Sequence, residues 1–204
     1  MNIKKITIDD IISAYYNKSY SFKLSNHPSY VNIFGIRSAN RVSNKFDDAI
    51  GYFYFDINTK KVTYKVFDAT TDPGAYYLNK PLRVEGTAIL PEGQYIDVYS
   101  IGLHRGQYKA LVQSKPIRVY RDNNKDEMID IDITKLSSLG YYGINIHRAS
   151  PWQKVIKVDK YSAGCQVIAD PKDFNDLMSK CEQHKSIYGN KFTYTLFSEK
   201  DIFK

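Results

Sequence analysis

Two consecutive runs of alternating aromatic and β-branched residues constrain the fold of this chain most strongly. The first reads IGYFYFDI at residues 50–57, the second reads KVTYKVFDA at residues 61–69, and a polar turn at Asn58-Thr59 separates them. Aromatic and β-branched side chains suit a half-buried pleated surface. Because two such runs joined by a short turn are typical of a β-hairpin, the sequence predicts one here.

The chain continues this β pattern beyond the hairpin. A turn that leads into a strand is predicted at residues 70–78, and further strands are predicted at residues 82–90, 94–104, 108–113 and 116–120. The sequence therefore predicts a mainly β (α+β) fold, arranged as a sandwich or barrel.

One helix is predicted near each end. Residues 7–17 place apolar side chains on one helical face behind a Thr7 N-cap, and a second helix begins at Pro171 behind an Asp170 N-cap. Cys181 lies on the apolar face of the second helix and is expected to be a buried structural thiol, while His184, at the edge of that face, is expected to be structural too.

The domain organisation follows from where the strand pattern starts. Residues 1–45 are interpreted as an N-terminal extension, a helix followed by an irregular segment that continues to residue 49, packed on a main domain of residues 46–204. A chain of 204 residues is long enough to bury a substantial core.

Charge and apolar content exclude several classes of function. The net charge is +7, but the lysines are spread along the chain rather than clustered, so no nucleic acid partner is expected. No apolar stretch approaches the length of a membrane span. Asp9 and Asp10 interrupt the first apolar run, so no cleaved signal is predicted, and the chain is expected to be cytoplasmic as made.

The strongest chemical candidates are His147 and Cys165. His147 ends the alternating run YYGINIH, and Cys165 follows the small-residue turn Ser162-Ala163-Gly164. Backbone amides around Gly164 and Cys165 would form an oxyanion hole, and an adjacent imidazole would stabilise a thiolate. The alternative is that Cys165 is a core residue beside a strand.

Neighbouring residues supply candidate substrate contacts. Arg148 is suited to bidentate binding of a carboxylate, or is a solvated charge at a strand end. Trp152 lies in the loop between base and nucleophile and forms a wall or lid of the cleft or caps the core. His104 shares an Ile-x-x-His-Arg pattern with His147 and either faces the same cleft, as a rival base or second histidine, or is a polar strand end.

Metal binding receives little support. A zinc site of His104, His147 and Cys165 lacks any closely spaced ligand pair. The acidic segment of residues 121–130 has calcium-loop offsets but lacks the loop's glycine and its twelfth-position glutamate, so an acidic turn is the preferred interpretation. Its candidate ligands are Asp122, Asn124, Asp126 and Asp130. No cofactor is predicted.

The segment from His147 to Cys165 resembles the active site of the L,D-transpeptidase (YkuD-type) family, which carries a histidine followed downstream by Ser/Thr-His-Gly-Cys. Residues 66–78, VFDATTDPGAYYL, are similar to that family's Thr-Pro-x-Gly-x-Tyr/Phe segment, and the resemblance covers residues 50–170. The chain departs from the pattern at Ala163, where the family has histidine, at Arg148, where it has glycine, and at residues 166–167 after the nucleophile.

The resemblance implies a catalytic domain in which Cys165 attacks an amide of a peptidoglycan stem peptide. His147 would hold the thiolate and then protonate the leaving amine. The acyl group of the thioester would then pass to an amine or to water. Ser162 joins the substrate-binding candidates with His104, Arg148 and Trp152. Delivery by a bacteriophage particle, by lysis or by dedicated secretion fits the expected lack of a signal. The alternatives are a non-catalytic phage structural or wall-binding module, supported by Ala163, and a cysteine peptidase or amidase with a protein substrate.

Overall fold

The computed structural model describes residues 5–203, and these residues form a mainly β protein. The helices are α1 (Ile8–Asn17), α2 (Ala75–Asn79), α3 (Pro171–Tyr188) and α4 (Glu199–Ile202). The strands are β1 (Asn32–Arg37), β2 (Asp48–Asp56), β3 (Lys61–Thr70), β4 (Thr87–Ile89), β5 (Gly93–His104), β6 (Tyr108–Gln113), β7 (Tyr120–Asp122), β8 (Ile146–Arg148), β9 (Gln166–Ile168) and β10 (Phe192–Ser198). In the described part of the chain, no helix is both long and apolar enough to cross a membrane.

Eight of these strands close into a barrel. The order around the barrel is β1-β10-β5-β6-β8-β9-β3-β2, while β4 and β7 pair as a separate two-stranded sheet. The pairs β1–β10 and β8–β9 are parallel, and the other barrel pairs are antiparallel. A continuous apolar core fills the barrel and extends to the inner face of α3. The prediction of a mainly β fold is confirmed.

The predicted hairpin is present as β2 and β3. Its register runs from Asp48 opposite Ala69 to Asp56 opposite Lys61. The Asp56 carboxylate accepts the Asn58 N–H at 2.8 Å and closes the turn. Local sequence was sufficient to predict this element because both the strand pattern and the turn chemistry are contained in one short segment.

Both predicted helices are present with their caps. At the start of α1 the Thr7 hydroxyl accepts the Asp10 N–H at 3.2 Å, and the Asp10 carboxylate accepts the Thr7 N–H at 2.9 Å. In α3 the Asp170 carboxylate accepts the Lys172 N–H at 2.8 Å. Cys181 is fully buried, as predicted.

His184 is also buried in α3 and has a structural partner. Its Nδ1 accepts the Val31 N–H at 3.1 Å, which satisfies a backbone donor just before β1. The structural role predicted for His184 therefore agrees with its contacts, although it lies deeper than the helix edge at which we placed it.

The N-terminal segment requires a correction. Residues 32–37, predicted to be irregular, form β1, which lies between β10 and β2 in the barrel. The boundary drawn after residue 45 therefore does not separate an extension from the barrel. All six residues of β1 are buried, so the strand shows no polar–apolar alternation that could reveal it. The unpredicted β10 is likewise mostly buried.

Three further strand predictions are also corrected. Of residues 116–120, Ile117 forms only an isolated bridge to Gly140, and the strand β7 begins at Tyr120. Residues 75–79 form the short helix α2 rather than a strand, because the Pro73-Gly74 turn leads directly into helical geometry with Gly74 as its N-cap. Of the long strand predicted at residues 82–90, only Thr87–Ile89 is extended and paired.

A buried charge cluster closes the end of the barrel where β1 and β3 finish and β2 begins. Arg37 is only 2% exposed; its Nε lies 2.9 Å from Asp72 and its Nη1 lies 3.1 Å from Glu92. Nearby, the Asp48 carboxylate accepts N–H groups from Ser38 at 2.7 Å and Thr71 at 2.6 Å. Charge-assisted hydrogen bonds within the cluster connect the ends of β1 and β3 to the start of β2.

Candidate active site

The adjacent parallel strands β8 and β9 set the relative positions of His147 and Cys165, because His147 lies in β8 and Cys165 directly precedes β9. His147 lies opposite Val167, and the ladder is extended at its start by the Gln166 N–H, which donates to Asn145 O at 2.9 Å. Side chains alternate along a strand, so Cys165, two residues before Val167, belongs to the same face as His147. The strand pair therefore places the two residues on one face of the sheet, with Cys165 offset by two residues from the position opposite His147.

The turn that precedes Cys165 is held by Ser162. The Ser162 hydroxyl donates to Cys165 O at 2.8 Å and accepts the Gly164 N–H at 3.1 Å. Ser162 is fully buried. Its hydroxyl therefore shapes the nucleophile turn from inside, and a direct contact with substrate would require this turn to open.

Gly164 is the one turn residue whose lack of a side chain is required. Its φ is +116°, and a Cβ at this position would lie 2.4 Å from Ala88 O. Neither the backbone conformation nor the contact with β4 would accept another residue without movement.

Replacing Gly164 by Ala is expected to destabilise the protein by at least about 2 kcal/mol, because strain at φ and a backbone clash add together. The free energy of unfolding in urea measures this. Gly106→Ala is the matched control, since Gly106 also has positive φ (+71°) but open space around its missing Cβ. Equal losses in the two variants would show that packing of Gly164 against Ala88 contributes nothing.

Gln166 connects the nucleophile turn to the barrel interior, a role that the sequence analysis missed. Its Nε2 donates to Thr71 O at 3.2 Å and to Gly164 O at 3.4 Å, and its Oε1 accepts the Tyr194 hydroxyl at 2.9 Å. Thr71 O also accepts Arg37 Nη2 at 3.0 Å. The buried charge cluster and the nucleophile turn thus share one hydrogen-bond network.

His147 and His104 stack on each other, with ring centroids 4.1 Å apart and planes 26° apart. His147 Nδ1 lies 2.8 Å from Arg148 O. A carbonyl oxygen only accepts, so Nδ1 carries the proton and Nε2 is the basic nitrogen of His147. The tautomer suits His147 to accept a proton at Nε2.

His104 has the opposite tautomer. The side-chain oxygen of Asn145, Oδ1, accepts the Gln113 N–H at 2.9 Å. The side-chain nitrogen Nδ2, 3.1 Å from His104 Nδ1, is therefore a donor. His104 Nδ1 therefore accepts, and Nε2 carries its proton. The sequence pattern was compatible with His104 in the same cleft or at a polar strand end, and the structure places its ring against His147.

The two imidazoles and the thiol are neutral at pH 7. Burial is the main cause that lowers the pKa of His147 to about 3, and electrostatic repulsion from His104 is the next largest. Burial is also the main cause that lowers the pKa of His104 to about 4, and the positive charge of Arg105 adds to it. Burial raises the pKa of the Cys165 thiol, against a smaller opposing effect of the Asn145 N–H and Arg105. These pKa shifts favour a neutral thiol and a neutral base in the resting protein over the predicted thiolate.

Residue Cys165 is partly exposed, and its thiol donates to Gly143 O at 3.3 Å. Within residues 5–203, no hydrogen bond joins this sulfur to either imidazole, and no group accepts from the Cys165 N–H. The Gly164 N–H, by contrast, is already donated to Ser162. Of the two amides predicted to stabilise an oxyanion, the Cys165 N–H is the one free to do so.

A cavity of about 510 Å³ opens beside the two histidines, and we call it the histidine cavity. The Arg148 guanidinium borders it, 4.1 Å from the centroid of the Tyr108 ring, so an aromatic face holds this cation in place. Its lining residues are His104, Arg105, Gln107, Tyr108, His147, Arg148, Ala149, Pro151, Asp159, Lys160 and Tyr161. The predicted positioning of Arg148 at a cleft is consistent with this geometry.

Arg105 is a site residue that the sequence analysis passed over. It occupies the tip of the β5–β6 hairpin at φ +50° and lines the histidine cavity. The Ile-x-x-His-Arg pattern that singled out His104 also contains Arg105, and a strand-end histidine followed by a hairpin glycine was the available signal.

Trp152 lies outside the wall of this cavity. The side chain is 89% exposed, which excludes the alternative that it caps the core. Its neighbour Pro151 does line the histidine cavity, so Trp152 stands on the loop at the rim.

The acidic segment forms an internally bonded turn. The Asn124 amide nitrogen donates to Asp126 at 3.0 Å and to Asp130 at 2.5 Å, and Asp122 accepts the Asp130 N–H at 2.9 Å. Asp126 and Asp130 thus share the Asn124 amide donor, and Asp122 holds the backbone of Asp130. Across the described chain, no group of three His, Cys, Asp or Glu side chains is arranged to hold a metal ion.

Comparison of the chain with protein-family models, with curated proteins and with solved structures finds no match in any of the three.

Proposed function

We propose that this protein is a cysteine-dependent acyl transferase or peptidase that acts on an amide of peptidoglycan stem peptides through a thioester. One observation carries the proposal: the β8–β9 strand pair puts His147, whose Nδ1 proton is donated to Arg148 O, on the same face as the partly exposed residue Cys165, and His147 lines a cavity. A base oriented by a second group beside a nucleophile is the arrangement used in covalent acyl transfer. The resemblance of residues 50–170 to the L,D-transpeptidase family supports the choice of substrate.

The mechanism starts from neutral groups. As Cys165 Sγ bonds to the amide carbon, its proton passes to His147 Nε2, and the carbonyl electrons move to an oxyanion that the Cys165 N–H stabilises. When the tetrahedral intermediate collapses, the C–N bond breaks and His147 returns the proton to the leaving amine. An incoming amine (transferase) or water (hydrolase) then attacks the thioester and regenerates the thiol.

The charge around the histidine cavity favours an anionic substrate. Arg105, Arg148 and Lys160 line it together with a single carboxylate, Asp159. Arg148 is suited to a carboxylate on the leaving amine, because it borders the cavity beside the general acid, and guanidinium matches carboxylate geometry.

A second candidate function is a non-catalytic wall-binding module, released to a cell wall or carried on a virion. The specific observation in its favour is that the Cys165 thiol donates to Gly143 O rather than to an imidazole, with its pKa raised by burial. In this case the cavity would bind a wall peptide without forming a bond to it.

The test is detection of the thioester by intact mass. The protein is incubated at pH 7 with purified stem peptides and, separately, with a carbapenem as an amide mimic. The proposal expects an adduct on Cys165, absent from Cys165→Ala and retained in Cys181→Ala, because Cys181 is fully buried. Saturable binding of stem peptide with no adduct and no cleaved or exchanged product would favour the second candidate.

A further inference from the structure

Asn145 bonds to the nucleophile strand through its backbone and to a histidine through its side chain. It directly precedes β8, and its carbonyl oxygen accepts the Gln166 N–H at 2.9 Å. Because side chains alternate along a strand, the Asn145 side chain lies on the same face as His147. This side chain takes no part in the proton transfers between Cys165 and His147, yet it is fixed at both ends.

The polarity of the Asn145 amide is set by a backbone donor. The Gln113 N–H, in β6, donates to Asn145 Oδ1 at 2.9 Å. Because a backbone N–H can only donate, Oδ1 must face it, and Nδ2 faces His104. Nδ2 lies 3.1 Å from His104 Nδ1, so this hydrogen bond uses the lone pair of that ring nitrogen. A backbone group of β6 therefore determines, through Asn145, which nitrogen of His104 carries the proton.

This hydrogen bond decides which of the two stacked rings is a base. His104 has its Nδ1 lone pair bonded to Asn145 and its proton on Nε2. His147 has its proton on Nδ1, which donates to Arg148 O at 2.8 Å. Of the four nitrogens in the two rings, only His147 Nε2 therefore offers a lone pair to the thiol proton.

The stacking makes the charge of one ring matter to the other, because the ring centroids are 4.1 Å apart. During acyl transfer His147 holds the thiol proton as an imidazolium, and a second imidazolium at this distance would oppose it. The other titratable groups around His104 are Tyr108, whose ring centroid lies 5.5 Å from that of His104, and Arg105. Neither carries a negative charge at pH 7, so neither stabilises a charged His104.

We propose that Asn145 is a positioning residue that selects His147 as the base of the stacked pair. By donating to Nδ1, it holds His104 neutral, with the proton of that ring on Nε2. His104 then neither competes for the thiol proton nor opposes its uptake by His147. This inference rests on the proposed function, because the role of His147 as base comes from it.

Nitrogen-15 NMR of the histidine rings tests the tautomers, and its first part needs no substitution at Asn145. At pH 7 the unsubstituted protein is expected to carry the His104 proton on Nε2 and the His147 proton on Nδ1, with the His104 signals assigned by their absence from His104→Phe. In Asn145→Asp the side chain can only accept, so His104 Nδ1 is expected to become protonated. A protonated His104 Nδ1 in the unsubstituted protein, or an unprotonated one in Asn145→Asp, would overturn the inference.

Turnover of a stem peptide provides the second measurement. Asn145→Asp is expected to lower kcat/KM at least about tenfold at pH 7, because a carboxylate in place of the amide stabilises a charged His104 against His147. Activity should recover in part at higher pH, where His104 loses the added proton. Unchanged turnover in a variant whose His104 Nδ1 has become protonated would show that the tautomer of His104 does not matter to catalysis.

A double-mutant cycle shows whether Asn145 acts through His104. The ring in His104→Phe can stack but cannot be charged, so adding Asn145→Asp to this variant is expected to lower kcat/KM by no more than about twofold. A tenfold loss in that background as well would contradict the inference, because the carboxylate would then act directly on Cys165.

Asn190→Asp is the matched control for the introduced carboxylate. Asn190 Oδ1 accepts the Ile101 N–H at 2.8 Å, and its Nδ2 donates to Ile101 O at 3.1 Å, so this amide is also fixed at both ends. Asn190 does not line the histidine cavity, and the turnover of this variant should equal that of the unsubstituted protein.

The failure of this inference is separable from that of the proposed function. An unsubstituted protein that forms the thioester, together with an equally active Asn145→Asp variant, would retain acyl transfer and exclude only the role of Asn145. Absence of any thioester in the unsubstituted protein would instead contradict the proposed function, whatever tautomers the NMR spectrum shows.

Discussion

Replacing His147 by Gln is expected to lower kcat/KM for amide cleavage or exchange by at least about 100-fold, the usual contribution of a positioned general base. Glutamine cannot accept the thiol proton at the position of Nε2. The barrel should remain folded, since His147 makes its one short hydrogen bond to the adjacent residue's carbonyl, Arg148 O. Turnover of a stem peptide followed by chromatography provides the measurement.

His27→Gln is the matched control for this substitution, because His27 lies in the segment before β1, away from the site residues, and does not line the histidine cavity. Its turnover should equal that of the unsubstituted protein. Full activity in His147→Gln would remove His147 from the mechanism and leave His104, stacked against it, as the alternative base.

The pH dependence of kcat/KM and of Cys165 alkylation distinguishes a neutral thiol and imidazole from a preformed thiolate–imidazolium pair. His147 is active as the neutral base, and its lowered pKa of about 3 keeps it neutral above mildly acidic pH. Cys165 is protonated up to a pKa raised above its ordinary value. kcat/KM should therefore be flat across neutral pH. Alkylation of Cys165 by iodoacetamide should increase only at alkaline pH, with the same profile in His147→Gln. Rapid alkylation below pH 7 that depends on His147 would demonstrate a thiolate–imidazolium pair instead.

Replacing Arg37 by Leu is expected to destabilise the protein by about 3–5 kcal/mol, the typical cost of removing one partner from a buried ion pair. Arg37 compensates the charges of Asp72 and Glu92 and donates to Thr71 O. Without it, Asp72, itself 5% exposed, would be a buried carboxylate with no ion-pair partner, influenced only by the more distant charge of Arg41. Urea unfolding measures the change.

The loss at Arg37 should grow with pH. Burial, followed by the charge of Asp72, raises the pKa of Asp48 to about 7, and burial also raises the pKa of Asp72. Their ordinary values are 3.8, so these two carboxyl groups bind protons more tightly in the folded protein than in the unfolded chain, and their contribution to stability falls as pH rises between about 4 and 7. Arg37 lowers both pKa values, so its removal should cost more at pH 8 than at pH 5.

Two variants make this result specific. Arg37→Lys keeps the positive charge but loses the planar fork, so a smaller loss is expected. Lys109→Gln breaks an exposed pair with Glu182 at 2.7 Å and should cost less than about 1 kcal/mol. An Arg37→Leu protein with unchanged stability at both pH values would show that water or rearrangement compensates the carboxylates.

Elements whose signals are local were predictable from the sequence. The hairpin of β2 and β3 has both its alternation and its turn in one segment, and α1 and α3 begin at capping residues that act within one helical turn. β1 and β10 escaped prediction because they are buried almost throughout, and they pair with each other from opposite ends of the chain.

The sequence by itself determined which groups are present at the site: a histidine, a cysteine after a small-residue turn, and an arginine beside the histidine. Only the tertiary structure decided their protonation states and the groups that surround them. The stacking of His104 on His147, the commitment of the Gly164 N–H to Ser162, and the neutral state of Cys165 all depend on burial and on atoms from separate strands. Desolvation and hydrogen-bond partners are properties of the packed molecule, so residue spacing alone could not specify them.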